Sequence, residues 1–268
     1  MFMDHALSQR LERSEGTICA SYVSARCEVS GVPASWHDFA GTYAIFDGAD
    51  SPMTQTFGLG MFGPVTAEGL AAIEDYFTSR QAPTAHEVSP LAGTEVLSLL
   101  IERGYRPIEH SSVLVQPLSE RHAAPETGPL HVRTLDAAHR SAWVEASVAG
   151  WSADPTISSF IRALAEVGAA NPAMTHFFVE REGALLATAS LGLHDGIALL
   201  AGASTIPSAR GLGAQGMLLA ARLDAAHARG AHLALMLTSP GSASQRNAER
   251  SGFRIAYTRT KWLRAVPD

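Results

Sequence analysis

The chain has 268 residues, of which 46% are apolar and 17% charged, and a net charge of −6. The apolar fraction suffices for a buried core and excludes a disordered or collagen-like chain, while the length suits one large domain or two of roughly 100–150 residues. The acidic balance argues against a nucleic-acid footprint, and no uncharged apolar run of about 18 residues is present to span a bilayer.

The N-terminus, MFMDHALSQRLERSEG, carries charges where a signal peptide needs an apolar stretch, so a cytoplasmic location is expected. Cys19 and Cys27 are the only cysteines. Spaced eight apart with no second pair, they make neither a zinc framework nor a disulfide scaffold, and read as free thiols on or near an early helix. Lys261 is the only lysine among 20 basic residues, which weakens any Schiff-base or Walker-type chemistry.

Further along, 56–62 (TFGLGMF) predicts a strand and 66–80 a helix, with Leu70, Ile73 and Phe77 at helical spacing. A strand at 85–89, a helix at 94–103 stopped by Gly104, and a strand at 108–115 follow. The stretch 116–129 (QPLSERHAAPETGP) is polar, Pro-rich and aperiodic. It divides the chain into a domain over 1–118, a linker over 119–129 and a domain over 130–268.

In the second half, 130–135 alternates as a short strand, 136–150 predicts a helix with an acidic cap, and 156–170 a helix stopped by Asn171-Pro172. A hairpin over 175–180 and 184–193 leads through His194-Asp195-Gly196 into an apolar strand at 197–206. A long helix over 213–229 closes on Gly230; a strand at 232–238, a short helix at 244–250 and a strand at 253–263 complete the order. The segments IERGYRPIEH (101–110) and AERSGFRIAY (248–257) match at their helix ends, which points to an internal duplication.

The most informative stretch is LLAGASTIPSARGLGAQGMLLAARL, residues 199–223. A strand ends, Pro207 breaks the ladder, and Arg210-Gly211-Leu212-Gly213-Ala214-Gln215-Gly216 opens a helix. A helix start leaves N–H donors unpaired and carries partial positive charge; glycines let those amides approach an anion, and Arg210 adds a cation suited to phosphate oxygens. The stretch therefore predicts a pyrophosphate site. Gly211, Gly213 and Gly216 also fit the dinucleotide fingerprint G-x-G-x-x-G. That fingerprint expects an acidic residue about twenty positions on, where this chain has Leu-Met-Leu-Thr-Ser, and 52 residues after Gly216 are too few for a doubly wound sheet.

With Asn247 and the Gly252-Phe253 pair following it, this loop resembles the pyrophosphate-binding loop of the GNAT N-acetyltransferase superfamily, with Gln215 in place of the last small residue. The resemblance implies two tandem GNAT-like domains of α/β (mixed α+β) class, each a central mixed sheet flanked by helices. The first is degenerate: Phe62-Gly63-Pro64-Val65 stands in for the phosphate loop, with no cation and no glycine series, so it is expected not to bind CoA. The implied activity is acyl-CoA-dependent N-acyl transfer, with acetyl-CoA as co-substrate and a small-molecule amine as acceptor. No metal, nucleic acid or membrane partner is expected, and the chain is a monomer or homodimer.

Carried over by residue, the resemblance puts the pantetheine arm along Ala203, Ser204 and Thr205, and the pyrophosphate on Arg210, Gly211, Leu212, Gly213, Ala214, Gln215 and Gly216. The Gln215 side chain can point away while its N–H serves the phosphate. The pantetheine-contacting Asn is matched by type at Asn247; the family's position lies nearer Gly241. The family's acid for the thiolate, a Tyr four residues before the Gly-Phe glycine, is replaced by Ala248, leaving Ser244 and Tyr257 as substitutes by type; Tyr257 reads equally as a core aromatic.

The strand at 197–206 contains no carboxylate. His194, beside Asp195, and His176 are the candidate bases, with a surface turn and a satisfied sheet histidine as their plain alternatives. Trp151, Asp154 and Phe160 fall where the family lines its acceptor site, or are helix packing and a cap. The missing Tyr and carboxylate keep a second reading open, a non-catalytic acyl-CoA-binding or interaction module. A third, a phosphate-binding regulator, predicts no CoA affinity.

Overall fold

A computed structural model describes residues 3–118, 128–151 and 158–266. Two compact units emerge: the first comprises Met1–Gln116 with Leu235–Asp268, the second Pro117–Ala234. The last 34 residues thus pack with the first half of the chain rather than with the stretch that precedes them. Residues 119–127 of the expected linker lie outside the described residues.

The first unit opens with α1 (His5–Ser30), capped by Asp4, which accepts the Leu7 N–H at 2.8 Å, and closed by Gly31 in the left-handed region. Hairpin β1 (Ser35–Phe39) and β2 (Thr42–Phe46) turns at Ala40 and Gly41, both at positive φ. Strand β3 (Gln55–Phe57), α2 (Ala67–Thr78) and β4 (Thr84–Val88) form a parallel β-α-β step. After α3 (Thr94–Glu102) and β5 (Arg106–Pro117), the C-terminal strand β11 (Arg254–Arg264) enters between β4 and β5, antiparallel to both. The sheet order is β1-β2-β3-β4-β11-β5. Leu70, Ile73 and Phe77 are buried, as their spacing predicts, in a core with Leu59, Leu100, Tyr105 and Trp262.

The duplicated segments fold alike. Helix α3 ends with Gly104 at φ 81 and the Tyr105 N–H on the Leu100 carbonyl at 2.9 Å. Helix α7 (Ala243–Arg250) ends with Gly252 at φ 98 and the Phe253 N–H on the Ala248 carbonyl at 3.1 Å. Both are Schellman-type stops in which only glycine takes the left-handed position without strain. Each delivers a buried aromatic and then a long strand.

In the second unit, β6 (His131–Thr134), β7 (Met174–Arg181), β8 (Ala184–His194) and β9 (Ile197–Thr205) form an antiparallel meander. Asp136 supplies the expected acidic cap, accepting the His139 N–H at 3.0 Å. One 3-10 turn then precedes α4 (Arg140–Gly150), which is followed by α5 (Ser158–Ala170). These two helices bury Trp143, Val144, Ala165 and Ala169 against Phe178 of β7. Helix α6 (Ala214–Ala228) follows β9, and β10 (Leu233–Thr238) begins in this unit. No helix among the described residues is long and apolar enough to cross a membrane.

Candidate functional site

Strand β9 ends at Thr205, a 3-10 turn covers Pro207–Ala209, and α6 begins at Ala214. Gly211 and Gly213 sit at φ 81 and 85, so the backbone turns where side chains would be strained. The first bond of α6 runs from the Met217 N–H to the Gly213 carbonyl at 3.2 Å, and no side chain caps the helix. The N–H groups of Ala214, Gln215 and Gly216 therefore have no acceptor among the described residues, as geometry requires of an uncapped helix start. Arg210, Gly211, Leu212, Gly213 and Gly216 are exposed. The positive end of a four-turn helix, with Gly216 and the Arg210 guanidinium exposed at it, is thus left without a protein cap among the described residues, while Ala214 itself is buried.

The chain arranges this loop with two side chains. Arg210 donates from Nη2 to the Gly150 carbonyl at the end of α4 at 3.2 Å, one bond among the described residues for a group with five donors. Gln215 folds back from α6: its Nε2 donates to the Ser204 carbonyl at 2.8 Å and to Thr205 Oγ1 at 2.6 Å. Its side chain leaves the anion face, as expected, and its N–H stays free. The same contacts alter the expectation for the strand, since the Ser204 carbonyl and the Thr205 hydroxyl are already engaged. The Ser204 side chain points elsewhere, buried against Thr188 Oγ1 at 2.9 Å. Ala203 alone of the three is exposed.

The expected catalytic residues fare differently. His194 closes the β8–β9 hairpin opposite Ile197, with Asp195 and Gly196 as the turn. Eight residues of extended strand, roughly 26 Å at 3.3 Å each, separate that turn from Thr205, so His194 lies at the far end of β9 from the loop. Tyr257 belongs to the first unit, buried, with its hydroxyl donating to Glu12 Oε1 at 2.6 Å. Burial, then the charge of Glu12, pushes its pKa well above the ordinary phenol value. Such a hydroxyl is a poor acid, and the core reading of Tyr257 stands.

Ser244 and Asn247 lie exposed on α7, which is also part of the first unit. His176 is buried on β7, its Nδ1 2.8 Å from Ser190 Oγ. Burial lowers its pKa, so the ring is neutral near pH 7. Trp151 is 44% exposed at the end of α4, Phe160 is half-buried on α5, and Asp154 lies outside the described residues.

The first unit supplies a contrast at the corresponding place. Strand β3 stops at Phe57, shorter than the sequence pattern implies, and Gly58-Leu59-Gly60-Met61-Phe62-Gly63 joins the connection to α2. Gly58 and Gly60 precede the Phe62-Gly63-Pro64-Val65 segment, and packing explains them. A Cβ on Gly58 would meet the Phe62 ring at 2.9 Å, and one on Gly60 would meet Val96 at 2.6 Å. Helix α2 is capped by its own Thr66, whose Oγ1 accepts the Gly69 N–H at 3.0 Å, and Glu68 sits in its first turn. A cavity of ≈580 Å³ beside this loop is lined by Phe62, Pro64, Val65, Val96, His5 and Glu95, among others, with no guanidinium. Self-capped and acidic, this helix start does not present the anion-receptive face that α6 does.

Sequence reasoning missed a second polar centre. Arg259 of β11 is 3% exposed; it donates hydrogen bonds to Glu15 through Nη1 and Nη2 at 2.5 and 2.9 Å and to Glu12 Oε2 through Nη1 at 3.4 Å, and its Nε forms an ion pair with Glu87 Oε2 at 2.9 Å. Three buried carboxylates share one guanidinium, and burial pushes the Glu12 carboxyl up to about 7. A helical row of Glu at 12 and 15 on α1 was the available signal. Among the described residues, no group of three or more His, Cys, Asp or Glu side chains is arranged to hold a metal ion.

An α/β protein with an uncapped, glycine-flanked helix start after a strand is the class these features define. The sequence matches no family model and no curated protein. Solved structures do resemble it. A tandem GNAT protein from the clavulanic acid biosynthesis pathway aligns over 100% of this chain and 98% of its own, at 10% identity and a TM-score of 0.63. A GCN5-related N-acetyltransferase from Kribbella flavida aligns over 92% and 95%, at 19% identity and a TM-score of 0.62. One from Sphaerobacter thermophilus aligns over 80% and 72%, at 17% identity and a TM-score of 0.58. The chain has the GNAT fold, in tandem arrangement.

Proposed function

We propose that this chain is an acyl-CoA-dependent N-acyltransferase of the cytoplasm that moves acetyl from acetyl-CoA to a small-molecule amine. The observation that carries the reading is the start of α6, where the Ala214, Gln215 and Gly216 amides have no acceptor among the described residues, beside an exposed Arg210. A diphosphate satisfies those donors and matches the helix dipole. In the same reading, residues 130–268 are the donor-binding repeat, 119–129 the linker and 1–118 the degenerate repeat. The chain acts as a monomer or homodimer.

When bound, the donor supplies a thioester carbonyl. This chain's residues hold its phosphates on Arg210, Gly211, Leu212, Gly213, Ala214, Gln215 and Gly216, and lay its arm along Ala203, Ser204 and Thr205, with Asn247 in reserve. A C–N bond forms and the C–S bond breaks; the amine loses one proton and the departing thiolate gains one. Because a thiol titrates near 8.5, that departure needs little help. This fits a chain in which Tyr257 is committed to Glu12.

Incubation with acetyl-CoA and a panel of amines, following thiol release, tests the reading; release above the amine-free rate is expected. A second reading, a non-catalytic acyl-CoA-binding module, draws support from the remote His194 and the committed Tyr257. It predicts CoA binding by calorimetry with no turnover on any amine. Absence of CoA affinity overturns both.

A further inference from the structure

The β8–β9 ladder is irregular at one place. Thr188 faces Ser204 and Ser190 faces Ala201, so two steps on β8 answer three on β9, and Gly202 and Ala203 bulge opposite Ala189. Gly202 sits at φ 59, and both bulged residues are exposed while Ala198, Leu199, Leu200 and Ser204 are buried. A bulge withdraws backbone groups from the ladder and re-aims them. Those groups must be satisfied elsewhere.

Arg222 of α6 does this. It is 2% exposed, and its Nη1 donates to the Ser190 carbonyl at 3.3 Å and to the Ala201 carbonyl at 3.5 Å, flanking the bulge, while Nε donates to Leu218 at 3.2 Å. It makes no ion pair with any carboxylate among the described residues. A buried guanidinium without a counter-charge is expensive, and an apolar side chain would satisfy the helix–sheet packing at lower cost. Burial moves its pKa down to about 10, so it keeps its charge at neutral pH. From the α4 side, Ser190 Oγ lies 3.4 Å from the place of a Cβ on Gly202 and is held by His176 Nδ1 at 2.8 Å, with the Trp143 ring edge-on to the histidine. The bulge is braced by a cation on one side and a pinned hydroxyl on the other.

We infer that Arg222 is a positioning residue for acyl transfer: it fixes the bulge at Gly202 and Ala203 in the shape that receives the acyl carbonyl and lends that backbone an uncompensated positive charge. The inference deepens the acyltransferase reading and rests on it. The bulged backbone touches the donor; Arg222 acts through it.

The test compares the wild-type chain with Arg222→Met and Arg222→Lys by steady-state kinetics, calorimetry with CoA, and amide hydrogen exchange. For Arg222→Met, kcat falls about 100-fold, the scale of losing one oxyanion donor. KM for acetyl-CoA and Kd for CoA stay within about threefold, because the phosphate loop is untouched. Exchange rises at Ala201, Gly202 and Ala203 but not in the middle of α6. Arg222→Lys restores at least part of kcat, and if the Met variant does not fold, the Lys variant, charged but without the guanidinium fork, must show the same split between kcat and KM.

Unchanged kcat and exchange in an active background overturns the inference alone. A parallel fall in kcat, CoA affinity and melting temperature overturns it too, in favour of plain packing. A wild-type chain that binds CoA but transfers to no amine removes the acyltransferase reading and this inference together.

Discussion

Replacing Gly213 with Glu is the sharpest perturbation of the α6 start. Gly213 holds φ 85 directly before Ala214, at the cap position of α6, and is exposed. A carboxylate at about 5 Å from a diphosphate repels each of its two charges by about 3 kcal/mol at an effective dielectric of 20. Screening by salt reduces this, and a net loss of about 4 kcal/mol, or roughly 1,000-fold in CoA affinity, remains the expectation. Gly213→Ala separates charge from backbone strain, since the left-handed conformation costs about 1–2 kcal/mol for any L-residue and adds no repulsion. Calorimetric titration with CoA at two ionic strengths checks both variants. The Glu variant should recover some affinity in high salt and the Ala variant should not. Equal affinities for the wild type and Gly213→Glu would mean that the start of α6 is not where the donor's phosphates sit.

Three further outcomes are expected. Gln215→Leu frees the Ser204 carbonyl and Thr205 Oγ1 from their present contacts; CoA affinity should change by less than about tenfold, because the Gln215 N–H is retained, and a total loss by calorimetry would show that the side chain itself binds the donor. Glu12→Gln tests the buried cluster: its folded-state carboxyl lies at about 7 against an ordinary 4.5, so the native state keeps a proton that the unfolded chain has released. That stability is fully present below pH 4.5 and is lost as pH rises through 7, on the order of 3 kcal/mol in all; urea midpoints at pH 5 and pH 8 should fall less for the Gln variant than for the wild type. Thr66→Ala removes the cap of α2 and should cost about 1 kcal/mol in urea unfolding, while CoA stoichiometry stays at one per chain.

The elements with a clean apolar period were legible. Leu70, Ile73 and Phe77 announce α2, and the glycine-punctuated run from 199 to 223 announces strand, turn and long helix. The early helix expected around Cys19 and Cys27 exists as α1, but its extent and buried face were not legible, because that face mixes Leu11, Ile18 and Val23 with Ser8, Glu12, Ser14 and Glu15. Those carboxylates are inside only because Arg259, more than 240 residues later, meets them. A tertiary ion cluster erases the local period that sequence reading relies on. The same long range hid the insertion of β11 between β4 and β5 and the division of the chain it produces. The turn at His194-Asp195-Gly196 was legible in the sequence, and a strand of nine residues separates it from the loop end.

The two helix starts explain why one repeat keeps a ligand face and the other does not. Both follow a strand and a loop with left-handed glycines, so glycine content does not separate them. What separates them is the first turn: α2 spends its own Thr66 hydroxyl on an orphan amide and adds Glu68, whereas α6 has Gly213 at the cap position and Arg210 ahead of it. A capping side chain contributes about 1 kcal/mol of stability. The chain forgoes that at α6, and the Gln215 amide group, which could bend toward the same donors, is instead tied to β9. The lining of the first unit's cavity, apolar with His5 and Glu95, then follows from a loop whose glycines serve ring and methyl packing rather than an anion.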